Sequence, residues 1–264
     1  MDLKLKGKTV FISGSTSGIG FCVAKIFLQE GALVYINGRT ETSIDDAIQR
    51  LKAVFPDGKI EGIVADFSKA EEVEQLIKKL PHLDILINNV GIYTSKSFFE
   101  TTDEDWSQHL EVNVMSGVRL SRHFLPKMLE KNWGRILFVS SECATLIPAD
   151  LIAYSTSKTA ALAISRGLAQ LTKGTGVTVN TVLPGSTKTE GAEQFLSNLA
   201  KKENKTIPQV ETDFFREVRP NSLLQRFASV EEIANTIVYF ASPLSVATNG
   251  ASIKLDGGSM GGII

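Results

Sequence analysis

The chain has 264 residues, of which 43% are hydrophobic and 22% charged, with a formal net charge of −1 and an isoelectric point near 6.3. This composition is that of an ordinary globular protein, and its balanced charge argues against binding to nucleic acid or to an anionic membrane surface. The two cysteines are far apart and the three histidines are not grouped with other ligand types, which excludes a disulfide framework and predicts no metal site.

The first residues of the chain alternate charged and apolar side chains. They lack the apolar centre of a signal peptide, and no apolar run in the sequence approaches the ~20 residues that span a bilayer. We therefore expect a cytoplasmic protein with no membrane partner.

Short β-branched segments then alternate with longer helical patterns to the end of the chain. The patterns predict strands at residues 9–12, 33–36, 60–65, 83–87, 135–139, 177–182 and 251–255. They predict helices at residues 18–30, 40–55, 70–79, 103–131 with a break near Pro126, 153–172 and 229–242. Thr102 with Asp105 and Ser229 with Glu232 have the spacing of capping boxes at two of the helix starts.

This alternation predicts the fold class. Strands that alternate with helices form right-handed βαβ units, which build a doubly wound, Rossmann-like α/β fold. We expect a mostly parallel sheet of about seven strands with helices on both faces, and ligands at the carboxyl ends of the strands. No break in composition divides the chain, so residues 1–264 are predicted to form one domain. Residues 190–221 are polar, helical in pattern and without a strand, which favours a lid over the substrate.

A glycine-rich turn joins the first strand to the first helix. Glycine permits a tight turn and a close approach of the backbone to a pyrophosphate, which a helix N-terminus attracts. The spacing GxxxGxG differs from GxGxxG and from a P-loop, and such a turn alone is often only a turn. Its position in the first βαβ unit favours dinucleotide binding by Gly14, Ser15, Thr16, Ser17, Gly18, Ile19 and Gly20.

Tyr154 and Lys158 are four residues apart on a predicted helix, so they project from the same face. A nearby ammonium stabilises the phenolate and lowers the pKa of the tyrosine, which then serves as a general acid and base. Such a pair also arises by chance in many helices, with the tyrosine on the edge of the core and the lysine in solvent. The other motifs of the chain decide between these interpretations.

Five blocks, in this order, resemble those of the short-chain dehydrogenase/reductase superfamily, in its compact single-domain branch. The resemblance covers essentially the whole chain, and the blocks together are far more specific than any one of them. They are Gly14-x-x-x-Gly18-Ile19-Gly20, Asn88-Asn89-Val90-Gly91, Ser141 with Tyr154-x-x-x-Lys158, Pro184-Gly185, and Leu255-Asp256-Gly257-Gly258.

The resemblance implies a role for each residue of the catalytic block. Tyr154 exchanges a proton with the substrate while hydride passes between the substrate and a nicotinamide, and it also contacts the cofactor. Lys158 binds the nicotinamide ribose and lowers the tyrosine pKa. Ser141 binds the substrate oxygen, with Ser140 as the alternative. Asn113 supports a proton relay through water, unless it only satisfies backbone groups of its helix.

The same resemblance implies the remaining cofactor contacts. Asp66 and Phe67 contact adenine, Asn89 and Gly91 form the turn after the fourth strand, and the segment after the sixth strand reaches the nicotinamide through Pro184, Gly185, Thr187 and Thr189. Val90 stands where alanine is usual and Ser13 where threonine is usual. Each position still holds what it requires, a small residue that is β-branched or carries a hydroxyl.

The residue after the second strand predicts the cofactor. Enzymes that use NAD tend to place a carboxylate there to bind the ribose 2′-hydroxyl. This chain has Asn37-Gly38-Arg39, and a guanidinium binds a 2′-phosphate through a fork of charge-assisted hydrogen bonds. NADP(H) is therefore favoured, with NAD(H) possible.

The predicted function is an oxidoreductase that acts on a small-molecule carbonyl or alcohol. The alternatives are a non-catalytic dinucleotide sensor and an epimerase or dehydratase of sugar nucleotides, for which the chain has no room for the usual larger substrate domain. Cys143 is a candidate for the pocket wall, although a packed small side chain is the simpler interpretation. The helices around 103–131 and 153–172 resemble those that pair subunits in the family, which implies a homotetramer or else a homodimer.

Overall fold

Seven parallel strands form the central sheet of the computed structural model, which describes residues 2–262. The sheet order is β3–β2–β1–β4–β5–β6–β9, and β7 and β8 pair in a small sheet of their own. The strands are β1 Thr9–Ile12, β2 Leu33–Gly38, β3 Ile60–Val64, β4 Ile85–Asn88, β5 Gly134–Val139, β6 Val177–Pro184, β7 Thr187–Lys188, β8 Ala228–Ser229 and β9 Ser252–Leu255. The order reverses between β1 and β4, which creates the switch point where such sheets bind ligands.

Helices cover both faces of this sheet and bury a separate apolar core on each. They are α1 Gly18–Gln29, α2 Glu41–Val54, α3 Ala70–Lys79, α4 Asp103–Leu110, α5 Ser116–Glu130, α6 Cys143–Leu146, α7 Ile152–Leu171, α8 Glu190–Glu203, α9 Ile207–Glu217 and α10 Val230–Phe240. Helices α1, α2 and α10 pack on one face and α3, α5 and α7 on the other. The predicted doubly wound fold is confirmed.

The predicted break near Pro126 is wrong. Helix α5 continues through Pro126, whose position is exposed to solvent, and the interruption comes earlier, in a π-helical segment at Glu111–Met115 between α4 and α5. A π turn inserts one extra residue and re-aims the side chains within it. Here it directs Asn113 toward Ile92, as described below.

Two further features differ from the sequence patterns. The short helix α6 follows β5, and β7 pairs with β8; each is too short to leave a periodic signal. Within residues 2–262, no helix combines the length and the apolar character that crossing a membrane requires.

Candidate active site

A buried asparagine holds the glycine-rich turn in place. Gly14 and Gly18 both have positive φ, +60° and +57°, which side chains disfavour. The Gly14 N–H donates to Asn37 Oδ1 at 3.0 Å, and the Asn37 amide donates to the carbonyls of Ile63 and Ala65 at 3.0 and 3.2 Å. Asn37 thus ties the turn to β2 and β3, a role that the sequence patterns did not reveal.

The turn after β4 supports the glycine-rich turn from the other side. Asn89 Nδ2 donates to the carbonyls of Ser13 and Gly14 at 2.9 and 2.7 Å, and the Ser13 hydroxyl accepts the N–H groups of Asn89 and Val90, each at 3.0 Å. A Cβ atom at Gly20 would come 2.5 Å from Asn89 Nδ2. Glycine is therefore required there by the asparagine, and Asn89 acts as a brace for the turn.

The N-terminus of α1 already carries an anion. The Gly18 N–H donates to Glu190 Oε2 at 2.9 Å, and the same carboxylate lies 3.8 Å from Arg50. Glu190 stands in for a negatively charged ligand group, because the free N–H groups and the dipole of a helix start attract anions. This turn therefore fits the pyrophosphate of a dinucleotide.

The side chains of the turn divide into structural and accessible ones. The Ser15 hydroxyl donates to the Ile12 carbonyl at 2.7 Å and accepts the Asn37 N–H at 2.9 Å, so it serves the turn itself. Ser17 is exposed, and Thr16 is partly buried. Ile19 packs against the core beneath the turn. A ligand would meet backbone N–H groups and the hydroxyls of Thr16 and Ser17.

Ser141 and Tyr154 meet at the carboxyl end of β5. The Ser141 side chain lies close enough to the Tyr154 hydroxyl to influence its pKa, and the Ser141 hydroxyl accepts the Cys143 N–H at 3.1 Å. The alternative, Ser140, donates its buried hydroxyl to the Lys158 carbonyl at 2.8 Å. Of the two serines, Ser141 is the one placed beside the tyrosine hydroxyl.

Lys158 and Asn113 meet at Gly91. Lys158 Nζ donates to the Val139 carbonyl at 3.0 Å. Asn113 Oδ1 accepts the Ile92 N–H at 2.7 Å, while its amide donates to the Ile92 carbonyl and to Ser157. A Cβ atom at Gly91 would lie 3.0 Å from Lys158 Nζ and 3.4 Å from Asn113 Oδ1, so this glycine leaves room for both side chains. The relay assigned to Asn113 stays a prediction.

The pKa of Tyr154 changes in the direction opposite to the one expected from its neighbour. Burial raises the pKa of the Tyr154 hydroxyl, and the hydrogen bond with Ser141 opposes that effect. Burial lowers the pKa of Lys158 from 10.5 to about 8, so its ammonium is itself disfavoured. Lys158 Nζ lies 5.7 Å from the centre of the Tyr154 ring and is bound to Val139. Desolvation therefore outweighs the effect expected from the ammonium.

Arg39 and Asp66 lie close to each other at the ends of β2 and β3. Burial raises the pKa of Asp66, but hydrogen bonds from Ser68 outweigh it and, with the charges of Lys69 and Arg39, hold this pKa below its ordinary value. The Phe67 side chain is 2% exposed and packs in the core. Because the whole residue is buried, its contact with adenine stays a prediction.

Both threonines after β6 serve the local chain. The Thr187 hydroxyl donates to the Gly185 carbonyl at 2.9 Å, and the Thr189 hydroxyl caps α8 by accepting the Ala192 N–H at 3.2 Å. Pro184 ends β6. The Pro184 carbonyl already accepts the Glu142 N–H at 2.8 Å and the Gly185 N–H donates to the Leu255 carbonyl at 3.0 Å, so the nicotinamide contact of this segment stays a prediction.

Helices α8 and α9 form the segment for which a lid was predicted. They share a small apolar core of Leu196, Ala200, Val210, Phe215 and Phe227. The sequence patterns missed the ion pair between Arg219 and Glu142, at 2.6 Å, and the contact of Glu190 with the glycine turn. In residues 2–262, no three His, Cys, Asp or Glu side chains converge to hold a metal ion.

Comparison with known proteins gives a consistent result. The family model for short chain dehydrogenases matches residues 8–200. YvrD, an uncharacterized oxidoreductase of Bacillus subtilis (strain 168), is 48% identical over 98% of this chain and 98% of its own length. YvaG, another uncharacterized oxidoreductase of that strain, is 45% identical over 98% of both chains. The solved structure of L-sorbose reductase from Gluconobacter frateurii, complexed with NADPH and L-sorbose, superposes with a TM-score of 0.93 at 28% identity, covering 100% of both chains.

Proposed function

This chain belongs to the short-chain dehydrogenase family of oxidoreductases, and we propose that it transfers hydride between NADP(H) and a carbonyl or secondary alcohol, with Tyr154 as the general acid and base. The observation that carries this proposal is the placement of Ser141, Tyr154 and the buried Lys158 beside one another at the carboxyl edge of the sheet.

The dinucleotide supplies hydride at its nicotinamide ring when it is bound. Backbone N–H groups of the glycine turn, Arg39 and Asp66 would hold its phosphates and adenosine, and Lys158 would hold the nicotinamide ribose. Gly91 has no side chain beside Lys158 Nζ, so the backbone of the turn after β4 could approach the bound cofactor.

The chain's own residues manage the proton. Ser141 orients the substrate oxygen beside Tyr154, which gives a proton to the forming alcohol or takes one from it. The Tyr154 hydroxyl is protonated at neutral pH, as the donor role in carbonyl reduction requires, and burial, which raises its pKa, makes it a weaker acid than the sequence predicted. Asn113, bound to Ser157 and Ile92, holds the helix bearing Lys158 against the turn after β4.

The preference for NADP(H) rests on Arg39 and on the absence of a carboxylate at the end of β2. Asn37 occupies the second-strand position next to Gly38, and its side chain is used to hold the glycine turn. The related sorbose reductase binds NADPH, which agrees with this proposal. NAD(H) is the alternative cofactor.

The remaining proposals concern the organisation of the protein. Residues 1–264 form one catalytic domain in which the segment 190–221 covers the substrate. A homotetramer, with a homodimer as the alternative, is supported by the exposed apolar side chains of Phe98, Phe99 and Leu110 near α4. Sedimentation of the purified protein as a single monomeric species would contradict both forms of assembly.

Replacement of Tyr154 by phenylalanine tests the proposal. The variant keeps the ring but loses the proton donor, so we expect kcat to fall by about 10²- to 10⁴-fold on any active substrate. The measurement is NADPH absorbance with a panel of ketones, hydroxy ketones and alcohols, alongside NADPH binding by fluorescence.

The matched control is Tyr93→Phe, because Tyr93 packs edge-on against Tyr154, with their ring centres 5.4 Å apart. We expect this control to keep most of its activity. Wild-type turnover by Tyr154→Phe would refute the acid–base role, and wild-type protein that bound NADPH without reducing any carbonyl would favour the sensor alternative.

A further inference from the structure

A buried ion pair joins the turn that carries Ser141 to residues 190–221, the segment for which a lid was predicted. Arg219 Nε donates to Glu142 Oε1 at 2.6 Å, and the two side chains are only 13% and 4% exposed. Glu142 follows Ser141 directly, whereas Arg219 lies just beyond the end of α9. The pair is therefore a tertiary link between the catalytic turn and residues 190–221.

The main chain around Glu142 is fixed as firmly as its carboxylate. Its N–H donates to the Pro184 carbonyl at 2.8 Å, and the next N–H, that of Cys143, donates to the Ser141 hydroxyl at 3.1 Å. A displacement of the Glu142 side chain would consequently be transmitted to the hydroxyl that pairs with Tyr154.

Arg219 is held equally well by α9 and by the turn. Its N–H donates to the Phe214 carbonyl at 3.1 Å, and its guanidinium carbon lies 5.9 Å from the centre of the Phe214 ring. Arg219 Nη2 lies 3.9 Å from Cys143 Sγ on the opposite side. The guanidinium thus bridges the covering helix and the residue two positions beyond Ser141.

The structure reserves space for this carboxylate. A Cβ atom at Gly185 would lie 2.8 Å from Glu142 Oε2, so a side chain at this position would displace it. Burial raises the pKa of Glu142 and the charge of Arg219 opposes that effect. A buried carboxylate without its partner is strongly unfavourable. The fold therefore favours the arrangement in which Arg219 and the preceding helix α9 pack against the turn that carries Glu142.

We propose that Glu142 and Arg219 are positioning residues that hold residues 190–221 closed over the Ser141–Tyr154 pair. This inference rests on the proposed function, because it takes Ser141 and Tyr154 as the groups that bind the reacting oxygen. Neither member of the ion pair touches that oxygen. Together they hold the turn that carries Ser141 in position relative to residues 190–221.

The two cysteines of the chain allow a test that needs no substrate. Cys143 is buried beneath Arg219, while Cys22 is buried in the core on α1, so Cys22 is an internal reference. The full-length protein is treated with iodoacetamide, and the alkylation rate of each cysteine is followed by peptide mass spectrometry. We expect Arg219→Ala to alkylate at Cys143 at least about tenfold faster than wild type, with Cys22 unchanged, because local opening exposes one site and not the other.

The direction of this change is diagnostic. Burial raises the pKa of the Cys143 thiol and the charge of Arg219 opposes that effect, so loss of the charge alone reduces the thiolate and slows alkylation. A faster reaction in Arg219→Ala therefore reports loss of cover at Cys143, to which removal of the contacting guanidinium itself contributes. Glu142→Gln leaves that guanidinium in place, so faster alkylation of Cys143 in this variant reports opening of residues 190–221, and an unchanged rate in it would overturn the inference. Arg219→Lys keeps a cation and should restore part of the protection, and Glu142→Gln should resemble Arg219→Ala more than wild type.

The matched control is Arg216→Ala, three residues before Arg219. Arg216 is an exposed arginine on α9 that pairs with Asp213 and Glu217. This control should leave the Cys143 rate unchanged. Unchanged alkylation of Cys143 in Arg219→Ala would overturn the inference, and so would equal acceleration at both cysteines, which indicates a purely structural role. NADPH titration of the same proteins separates the two proposals, since wild-type protein that binds no NADPH contradicts the proposed function alone.

Discussion

Lys158 places a cation where its surroundings favour a neutral amine. Its side chain is 5% exposed, and within residues 2–262 its Nζ forms one hydrogen bond, to Val139. An ammonium has three donors, so this site satisfies it poorly. Such a residue costs stability in exchange for a role in binding, which is typical of functional sites.

We predict that Lys158→Met stabilises the protein near neutral pH. Burial lowers the pKa of Lys158 to about 8 from 10.5, so folding disfavours its charged form. The penalty is full below pH 8 and disappears as the pH rises through 10.5, because the unfolded chain holds the proton more tightly. We expect the variant to be more stable by about 1–3 kcal/mol at pH 7, after allowance for the lost hydrogen bond.

Urea unfolding of both proteins at pH 7 and at pH 10 measures this effect. The advantage of the variant should shrink at the higher pH. A variant that is less stable than wild type at pH 7, with a gap independent of pH, would show that the ammonium is better accommodated than its burial indicates.

Arg39 is predicted to select the cofactor. It is exposed, and its charge contributes to the low pKa of the nearby Asp66, which places it at the adenosine end of the site. A charge-assisted bond is worth about 1.5–3 kcal/mol, so Arg39→Ala should weaken NADPH binding by roughly one to two decades. Binding of NADH should change far less.

Fluorescence titration with each cofactor gives the comparison, and Lys52→Ala on α2 is the control for a general loss of positive charge. An unchanged ratio of the two dissociation constants in Arg39→Ala, or tighter binding of NADH than of NADPH by wild type, would refute this selection.

At the scale of elements, the start of α8 lies against the start of α1. Thr189 caps α8, and the next residue, Glu190, reaches Gly18 at the N-terminus of α1. Both helix starts attract anions, and here one carboxylate serves the turn that is expected to bind pyrophosphate. A bound dinucleotide would have to displace it.

Glu190→Gln should therefore tighten NADPH binding. The carboxylate is 55% exposed and screened by solvent, so the effect is modest, about two- to fivefold in the dissociation constant. The control is Glu193→Gln, in the same first turn of α8. Weaker binding in Glu190→Gln than in the control would mean that the carboxylate supports the cofactor site.

The sequence predicted those elements whose signals are local. Both predicted capping boxes, Thr102 with Asp105 and Ser229 with Glu232, are confirmed at the starts of α4 and α10. The π segment at 111–115 could not be predicted, because it accompanies hydrogen bonds between Asn113 and Ile92 across separate parts of the chain. Strands of two residues leave no periodicity at all.

The candidate site divides in the same way. Ser141, Tyr154 and Lys158 were identified because they carry a motif with fixed spacing. The pairs that hold the site together join residues 77 positions apart, for Glu142 with Arg219, and 172 apart, for Glu190 with Gly18. Which charged residues are buried, and which distant partners they contact, depends on the tertiary fold. Sequence patterns alone therefore gave no sign of either pair.

At the scale of the whole molecule, one sheet supports every part of the candidate site. The glycine turn follows β1, Arg39 follows β2, Ser141 follows β5, and helices α8 and α9 follow β6. All of these strands are parallel, so their carboxyl ends meet at one edge. A ligand at this edge would contact both halves of the sheet at once.

We therefore predict that the protein unfolds as one unit and that NADPH stabilises it as a whole. At a concentration of 100 times its dissociation constant, a ligand that binds only the folded state adds about 2.7 kcal/mol. For a domain of this size that corresponds to a rise in Tm of roughly 5–10 °C.

Differential scanning calorimetry of wild type, Tyr154→Phe and Arg39→Ala at one fixed NADPH concentration makes the measurement. Tyr154→Phe should show most of the wild-type shift because it removes one hydroxyl and keeps the glycine turn, Arg39 and Lys158, whereas Arg39→Ala should show a smaller one. Two separate transitions would contradict a single domain, and a Tm that NADPH leaves unchanged in wild type would contradict the assignment of the glycine turn to a dinucleotide.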